Sequence, residues 1–402
     1  MIINRRKINH FLLSIFIFVC SLMPAESFSL KELFLGLLLL ANIDTIISGM
    51  LKDRHFIWFG IITPCWMLIV SIMAGGEVVD SIKAVYIFTF IWIPIIAVKY
   101  SIDLKKIFIN TTYFIAVLTD MFVVLHATNI LPLLNNPLAI WMHESGNAQL
   151  SYGSVAIFYY VFFLNACPLM LFTLVDALKN QQPIKTIIVL LALMFSGTRA
   201  NIYLAFTTII AYLIIYRKLD WKKIVIISFG GVLSIFLLVR LAPTIIEKIS
   251  TINSVKTYGD NIRAERTAAA IREIFGNIKV LLIGMGANVP FMANGILNYA
   301  SEMSYIELWR MFGVVSFVLV IYMLVYLLLK NRKDPNTIAY IAYLVTCAFD
   351  PFLLTSTGFL MVMYMFYLYK IREKESNSYD LLKARPGKII PEVLIRSNCT
   401  NG

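Results

Sequence analysis

Read as a string of apolar and polar positions, the chain divides into about twelve hydrophobic runs separated by polar connections. The runs lie at 9–24, 30–50, 56–75, 82–98, 107–126, 154–178, 184–198, 201–216, 224–242, 304–329, 337–349 and 354–370. Many approach the ~20 residues an α-helix needs to cross a hydrocarbon core, and lipid offers no partner for free N–H and C=O groups, so each must be helical. The pattern predicts an all-α, polytopic integral membrane protein of about twelve transmembrane helices. Residues 1–370 form its single transmembrane domain, and 371–402 a disordered tail.

The connections alternate in charge. One side holds Arg5, Arg6 and Lys7; Lys52 and Arg54; Lys99, Lys105 and Lys106; Lys179 and Lys185; Arg217, Lys218, Lys222 and Lys223; Lys330, Arg332 and Lys333; and the basic tail from Lys370. The excess of basic residues in short cytoplasmic loops makes that side the inside, with both termini on it. Opposite connections such as 24–29, 75–80 and 350–353 are short and poor in basic residues. Two outer loops are long, 127–153 and 243–303. The second, between the ninth and tenth spans, carries Lys248, Lys256, Arg263, Arg266, Arg272 and Lys279. Long translocated loops escape the charge rule, and an anionic ligand at the outer surface is the simplest reason for such a cluster. Arg5-Arg6-Lys7, the apolar run Phe11–Met23 and Pro24-Ala25-Glu26 have the outline of a cleavable signal peptide. An uncleaved first span is the preferred reading, and position 27 is outside in either case.

Composition agrees with this solvent. The chain is 59% hydrophobic and 14% charged, against about 45–50% and about 25% for soluble domains, and its mean hydropathy is +0.79. A formal charge of +12 does not point to nucleic acid, because the cations form short clusters between apolar runs instead of one stripe. Five cysteines stand singly, so neither a disulfide frame nor a zinc site follows. None of the four histidines, His10, His55, His126 and His143, lies in the second long loop. No metal and no cofactor is expected. Asp44, Asp120 and Asp176 sit inside or near spans without an obvious basic partner, and read as packing or interfacial groups sooner than as a proton relay.

Candidate chemistry gathers near the second loop. Ser196-Gly197-Thr198-Arg199 ends the seventh span and puts Arg199 near membrane depth, where a guanidinium costs about 2.5–3.5 kcal/mol at a helix centre unless it snorkels or pairs. Its position facing the arginine-bearing loop favours anion binding over snorkelling. Residues 261–275 read as a helix capped by Asp260 and stopped at Gly276, with Arg263 and Arg266 on one face. Guanidinium forks grip phosphate oxygens bidentately; a solvated face with Glu265 and Glu273 as salt-bridge partners is the alternative. Gly284-Met285-Gly286 follows, a turn that lets backbone approach a ligand closely, though such a pair is often only a turn. Glu302, Tyr305 and Arg310 then lie at the outer mouth of the tenth span. A carboxylate there could take a proton from a sugar hydroxyl, or the acidic residues could simply favour a helix start.

This order of features resembles the bacterial O-antigen and capsule polymerase (Wzy-type) family and the related O-antigen ligases. Ser196-Gly197-Thr198-Arg199 is similar to the family's Ser-x-Ser-Arg-like span end. Arg266 leading to Gly284-Met285-Gly286 is similar to its arginine, helix and Gly-x-Gly segment, and Glu302–Gly313 to its entry into the next span. The resemblance covers residues 190–330; the first 180 match in hydropathy alone. Ligases carry a histidine, then Asn, Ser or Gln, then nine residues and Gly, and counting back from Gly313 puts Glu302 and Met303 at the first two positions. That departure speaks against a ligase.

The resemblance implies a metal-independent glycosyltransferase at the periplasmic face of the bacterial inner membrane. The growing glycan on undecaprenyl pyrophosphate is the donor and an undecaprenyl-pyrophosphate-linked oligosaccharide repeat unit the acceptor. Glu302 and Arg266 are the implied catalytic residues, and Arg199, Arg263, Tyr305 and Arg310 the implied pyrophosphate and glycan contacts. Partners are these lipid-linked oligosaccharides, the bilayer, and a chain-length regulator and flippase of the same pathway, with no nucleic acid. A ligase of the same superfamily and a lipid-linked oligosaccharide flippase or transporter are the alternatives. Transporters usually show internal repeats and midplane sites on broken helices, whereas the polar groups here concentrate in one outer loop.

Overall fold

The computed structural model describes residues 5–24, 30–152, 159–163, 166–196, 199–216, 261–301 and 303–383. Helices dominate these residues, as apolar runs must where the surroundings cannot bond the backbone. In chain order they are α1 (Arg5–Leu22), α2 (Leu30–Leu40), α3 (Ile43–Lys52), α4 (Arg54–Ala74), α5 (Val78–Lys99), α6 (Leu104–Ala127), α7 (Pro137–Glu144), α8 (Met170–Lys179), α9 (Pro183–Phe195), α10 (Arg199–Tyr216), α11 (261–276), α12 (Ile278–Ile283), α13 (Ser304–Asn331), α14 (Asn336–Phe349) and α15 (Ser356–Lys383). Two antiparallel hairpins accompany them: β1 (Ala148–Tyr152) with β2 (Tyr159–Phe163), and β3 (Phe291–Ala293) with β4 (Ile296–Asn298). Among the described residues α4, α5, α6 and α13 are long and apolar enough to cross a membrane, and α2 with α3, bent by 73°, makes a fifth if the two are one span. The ninth expected run, 224–242, the loop residues 243–260 with the cap Asp260, and the tail from 384 lie outside the described residues.

Three expected segments differ from the structure. The run 154–178 is not one helix: Tyr159-Tyr160-Val161-Phe162-Phe163 pairs with Ala148–Tyr152, and a 3-10 turn at Cys167–Leu169 leads into the α-helix that starts at Met170. Aromatic and β-branched residues favour a strand, a choice that apolarity alone does not reveal for a short run. The run 30–50 breaks between α2 and α3. The buried amides of Asn9 and Asn42 bond reciprocally there at 2.9 and 2.8 Å, and Asn42 Nδ2 also donates to the Leu38 carbonyl at 2.7 Å. Finally, α15 passes the expected tail boundary at 371 and runs on to Lys383. Its Lys370–Glu373 pair, 2.6 Å apart and one turn apart, supports that extension.

The core is wrapped around α15. Every side chain from Phe359 to Phe366 is buried, as expected of a helix that is apolar all round and surrounded by others. Phe359 meets Phe88 with ring centroids 4.4 Å apart, while Tyr364 stacks on Phe108 at 4.4 Å and meets Phe172 edge-on at 5.4 Å.

Connections expected on the basic side meet one another at one end of this bundle. Asp53 pairs with Lys370 at 2.5 Å, and the His55 ring stacks on Tyr326 at 4.2 Å. Arg6 donates to the Ser101 carbonyl and Tyr367 to that of Ile102, each at 3.1 Å. Asp176, expected to lack a cation, holds Lys105 at 2.9 Å and Lys185 at 3.5 Å, and Asp44 meets Arg5 at 3.5 Å. Arg5 and Lys105 sit in other connections, and Lys185 lies across the next turn in α9, so the apolar pattern does not show these pairs. Asp120 keeps one carboxylate oxygen with no hydrogen-bond partner among the described residues.

Burial pushes the Asp53 carboxyl up, but hydrogen bonds from Lys370 and from His55, with the charge of Lys370, outweigh it and hold the group below its ordinary value. A depressed carboxylate stabilises the fold at pH above the unfolded value, about 3.9, and loses that contribution as pH falls through the lower folded value. Thermal unfolding in detergent should therefore fall more steeply across that acidic range for the wild type than for Asp53→Asn. Parallel curves would refute the coupling.

Candidate functional site

Gly313 interrupts α13 at φ 73° and ψ 177°, a region essentially open only to glycine. The break frees carbonyls of the preceding turn, and the segment after α12 supplies their partners. Met285 N–H donates to the Arg310 carbonyl at 2.7 Å and Gly286 N–H to that of Met311 at 3.0 Å. Trp309 Nε1 donates to the Leu281 carbonyl at 3.1 Å. The same segment reaches the ends of α4 and α5: Ala287 N–H donates to Ser71 Oγ at 2.8 Å and Asn288 Nδ2 to Asp80 at 2.8 Å. A Cβ on Gly284 would fall 2.5 Å from the Met311 carbonyl oxygen, and one on Gly313 would fall 2.2 Å from that of Leu282. The Gly-x-Gly turn thus packs backbone on backbone within the protein. Gly313→Ala should destabilise by about 1–3 kcal/mol from conformation alone, with the clash adding to this. Unfolding in detergent measures it, and a wild-type value would refute the interlock.

Arg310 is not at an open mouth. It is fully buried, and its guanidinium holds Glu307 bidentately, with Nε 3.1 Å and Nη2 2.5 Å from the carboxylate oxygens. Nη1 donates to the Val289 carbonyl at 2.8 Å and Nη2 to that of Tyr299 at 3.0 Å, while the plane lies 4.9 Å from the Phe291 ring centroid. Glu307 in turn accepts Ser301 N–H at 3.0 Å. A guanidinium so engaged ties the loop to α13, where sequence alone placed it at an open mouth. Tyr305 is half-buried and its hydroxyl donates to the Leu344 carbonyl at 2.9 Å, so it too is engaged inside the bundle.

The remaining loop residues form a pocket. Helix α11 follows the expected 261–275 closely, and its Ala269 and Ala270 pack on Phe291 and Ala293 of the β3–β4 hairpin. Asn294 and Gly295 close that hairpin at φ 52° and 75°, the Asn-Gly pair that two-residue turns favour. Between helix and hairpin lies a cavity of about 410 Å³ lined by the polar side chains Asn261, Glu265, Arg266, Asn294 and Asn298. Ile262, Ala293 and Ile296 supply its apolar wall. Asn294 Nδ2 donates to Glu265. Arg263, one turn before Arg266, faces the end of α14, its Nη2 3.8 Å from Asp350, whose own carbonyl accepts from Ser304 Oγ at 2.7 Å.

Of the residues singled out from sequence, Arg266 lies in this cavity and Arg263 beside α14. Glu302 lies outside the described residues, although the Thr267 hydroxyl is 3.5 Å from the Ser301 carbonyl and 3.2 Å from Met303 Sδ. Arg199 opens α10, but Gly197 and Thr198 and the Arg199 side chain are not among those described. Asn261, Asn294, Asn298 and Glu265 as pocket residues escaped the sequence reading. The Asn294-Gly295 step was their available signal. Among the described residues no three His, Cys, Asp or Glu side chains gather to hold a metal ion. Chemically, a guanidinium and three carboxamides offer donors to phosphate oxygens and sugar hydroxyls, and a carboxylate offers an acceptor. No protein-family model matches the chain, and no curated protein matches it.

Proposed function

We propose that the chain is a surface-polysaccharide polymerase. It would join undecaprenyl-pyrophosphate-linked oligosaccharide repeat units by glycosyl transfer at the periplasmic face of a bacterial inner membrane, through about twelve spans with both termini in the cytoplasm. The observation that carries the reading is the cavity between α11 and the β3–β4 hairpin, which Arg266 lines together with Glu265 and three asparagines. Asparagine and carboxylate groups suit sugar hydroxyls, and Arg266 suits the diphosphate. As the glycosidic bond breaks, negative charge develops on the leaving pyrophosphate, and a fixed guanidinium stabilises it more in the transition state than in the ground state. A carboxylate, Glu302 or Glu265, takes the acceptor hydroxyl's proton.

The segregation of connections supports the topology: 75–80, 276–303 and 350–353 meet around the site, and the basic connections meet at the other end. The broken helices do not favour a transporter. Carboxamides of Asn9 and Asn42 bond at one break and the amides of Met285 and Gly286 fill the other, so polar groups of the chain itself occupy both.

Gel banding of surface glycan in a deletion strain tests the reading. Single repeat units on a competent acceptor are expected, with long chains restored by the intact gene. Polymer accumulating on the lipid carrier would instead make the protein a ligase, and unchanged banding would end the proposal.

A further inference from the structure

Helix α13 carries an exposed apolar stripe that the outer site does not use. Val315, Val318, Tyr322, Val325 and Leu329 are all exposed, and their spacing of three and four residues puts them on one face. The stripe runs away from the loop to the opposite end of the bundle. There it ends at a second cavity, of about 400 Å³, between the ends of α13 and α15, and Leu329 belongs to both stripe and cavity.

The cavity is cationic. Lys330, Arg332, Lys333 and Arg372 line it, with Glu373 the one carboxylate in its lining. That carboxylate is already answered by Lys370 at 2.6 Å, which also holds Asp53 at 2.5 Å. Asp334, next in the chain, accepts from Asn336 at 2.9 and 2.8 Å. Arg372 is positioned by hydrogen bonds to Asn331 and to the Leu368 carbonyl, and Lys330 lies 5.5 Å from the Tyr326 and Tyr369 ring centroids. Arg332 and Lys333 are exposed and make no side-chain ion pair among the described residues. Four cations thus face a space large enough for a phosphate group, at the end of a helix of membrane length.

We propose that this cavity seats the phosphodiester headgroup of an anionic diacyl phospholipid, with one acyl chain lying along the Val315-to-Leu329 stripe. Arginine forks and lysine point charges together suit a phosphodiester, and basic pockets between helix ends are sites where anionic headgroups bind. A free phosphate ion would use the same cations but would have no use for the apolar stripe that leads into them. The proposal does not depend on the glycosyl-transfer reading.

The test uses the full chain in detergent, with native mass spectrometry counting retained lipid. Phosphatidylglycerol should be retained and phosphatidylcholine should not. Excess inorganic phosphate should fail to displace it, and retention should fall as salt rises. The double variant Arg332→Ala with Lys333→Ala removes two exposed cations, so its unfolding without lipid should be unchanged. Its affinity should fall by about fivefold per cation, about 25-fold in all. Leu329→Gln should weaken the lipid as well. Equal retention of both lipids, displacement by inorganic phosphate alone, or wild-type, salt-independent retention would overturn the proposal.

Discussion

Arg266→Ala is expected to abolish long-chain glycan while leaving the protein in the membrane at its normal level. Removing one preorganised donor from a site that stabilises developing negative charge costs about 2.7–4 kcal/mol, or about 10²–10³ in rate. A polymerase slowed that far would leave mainly single repeats within a growth cycle. Arg266 lies on the cavity wall and is only half-buried, so its loss should not unfold the bundle. Arg266→Lys keeps the charge but not the planar fork and should restore chains only in part. Complementation of a deletion strain, read by gel banding, checks both. Wild-type chain length in Arg266→Ala would remove the cavity from the mechanism.

The largest stability effect is expected at Arg310. Breaking a buried ion pair by removing one partner costs about 3–5 kcal/mol, because the remaining charge is left uncompensated. Arg310→Ala strands Glu307 and also releases the Val289 and Tyr299 carbonyls. Glu307→Gln keeps the shape and one acceptor and should cost less. Both should lower the unfolding temperature in detergent and open 285–301 to added protease, before any effect on the α15 core. Arg310→Ala that melts like wild type, with the segment still protected, would show that the pair does not hold the loop.

This pair marks the limit of what a sequence reveals here. Helix α11 was legible because Ala, Arg and Glu form helices and Gly276 ends them. The apolar runs at 107–126 and 304–329 were legible because a membrane-length stretch has few other uses. Arg310 was not: an arginine near the start of an apolar helix looks like a surface group until the hairpin that buries it is in place. A Glu-x-x-Arg spacing within an apolar run is the faint signal that it pairs with Glu307. The partner of Arg263 and the nearer partner of Asp176, Lys105, lie in other connections, and no local pattern encodes such pairs. At 159–163 the competing signal was present, since aromatic and β-branched residues favour strands, but hydropathy weighs a strand and a short helix alike.

The bend at Gly313 also bears on how the loop can move. Two amides of the loop complete that bend, so lifting the loop would bare two carbonyls inside a membrane-length helix, at several kcal/mol for each one left in hydrocarbon. The 285–286 segment and the start of α13 are therefore expected to move together. If the proposed glycosyl transfer is right, its lipid-borne sugars would then arrive and leave sideways within the leaflet, past a segment that does not act as a lid.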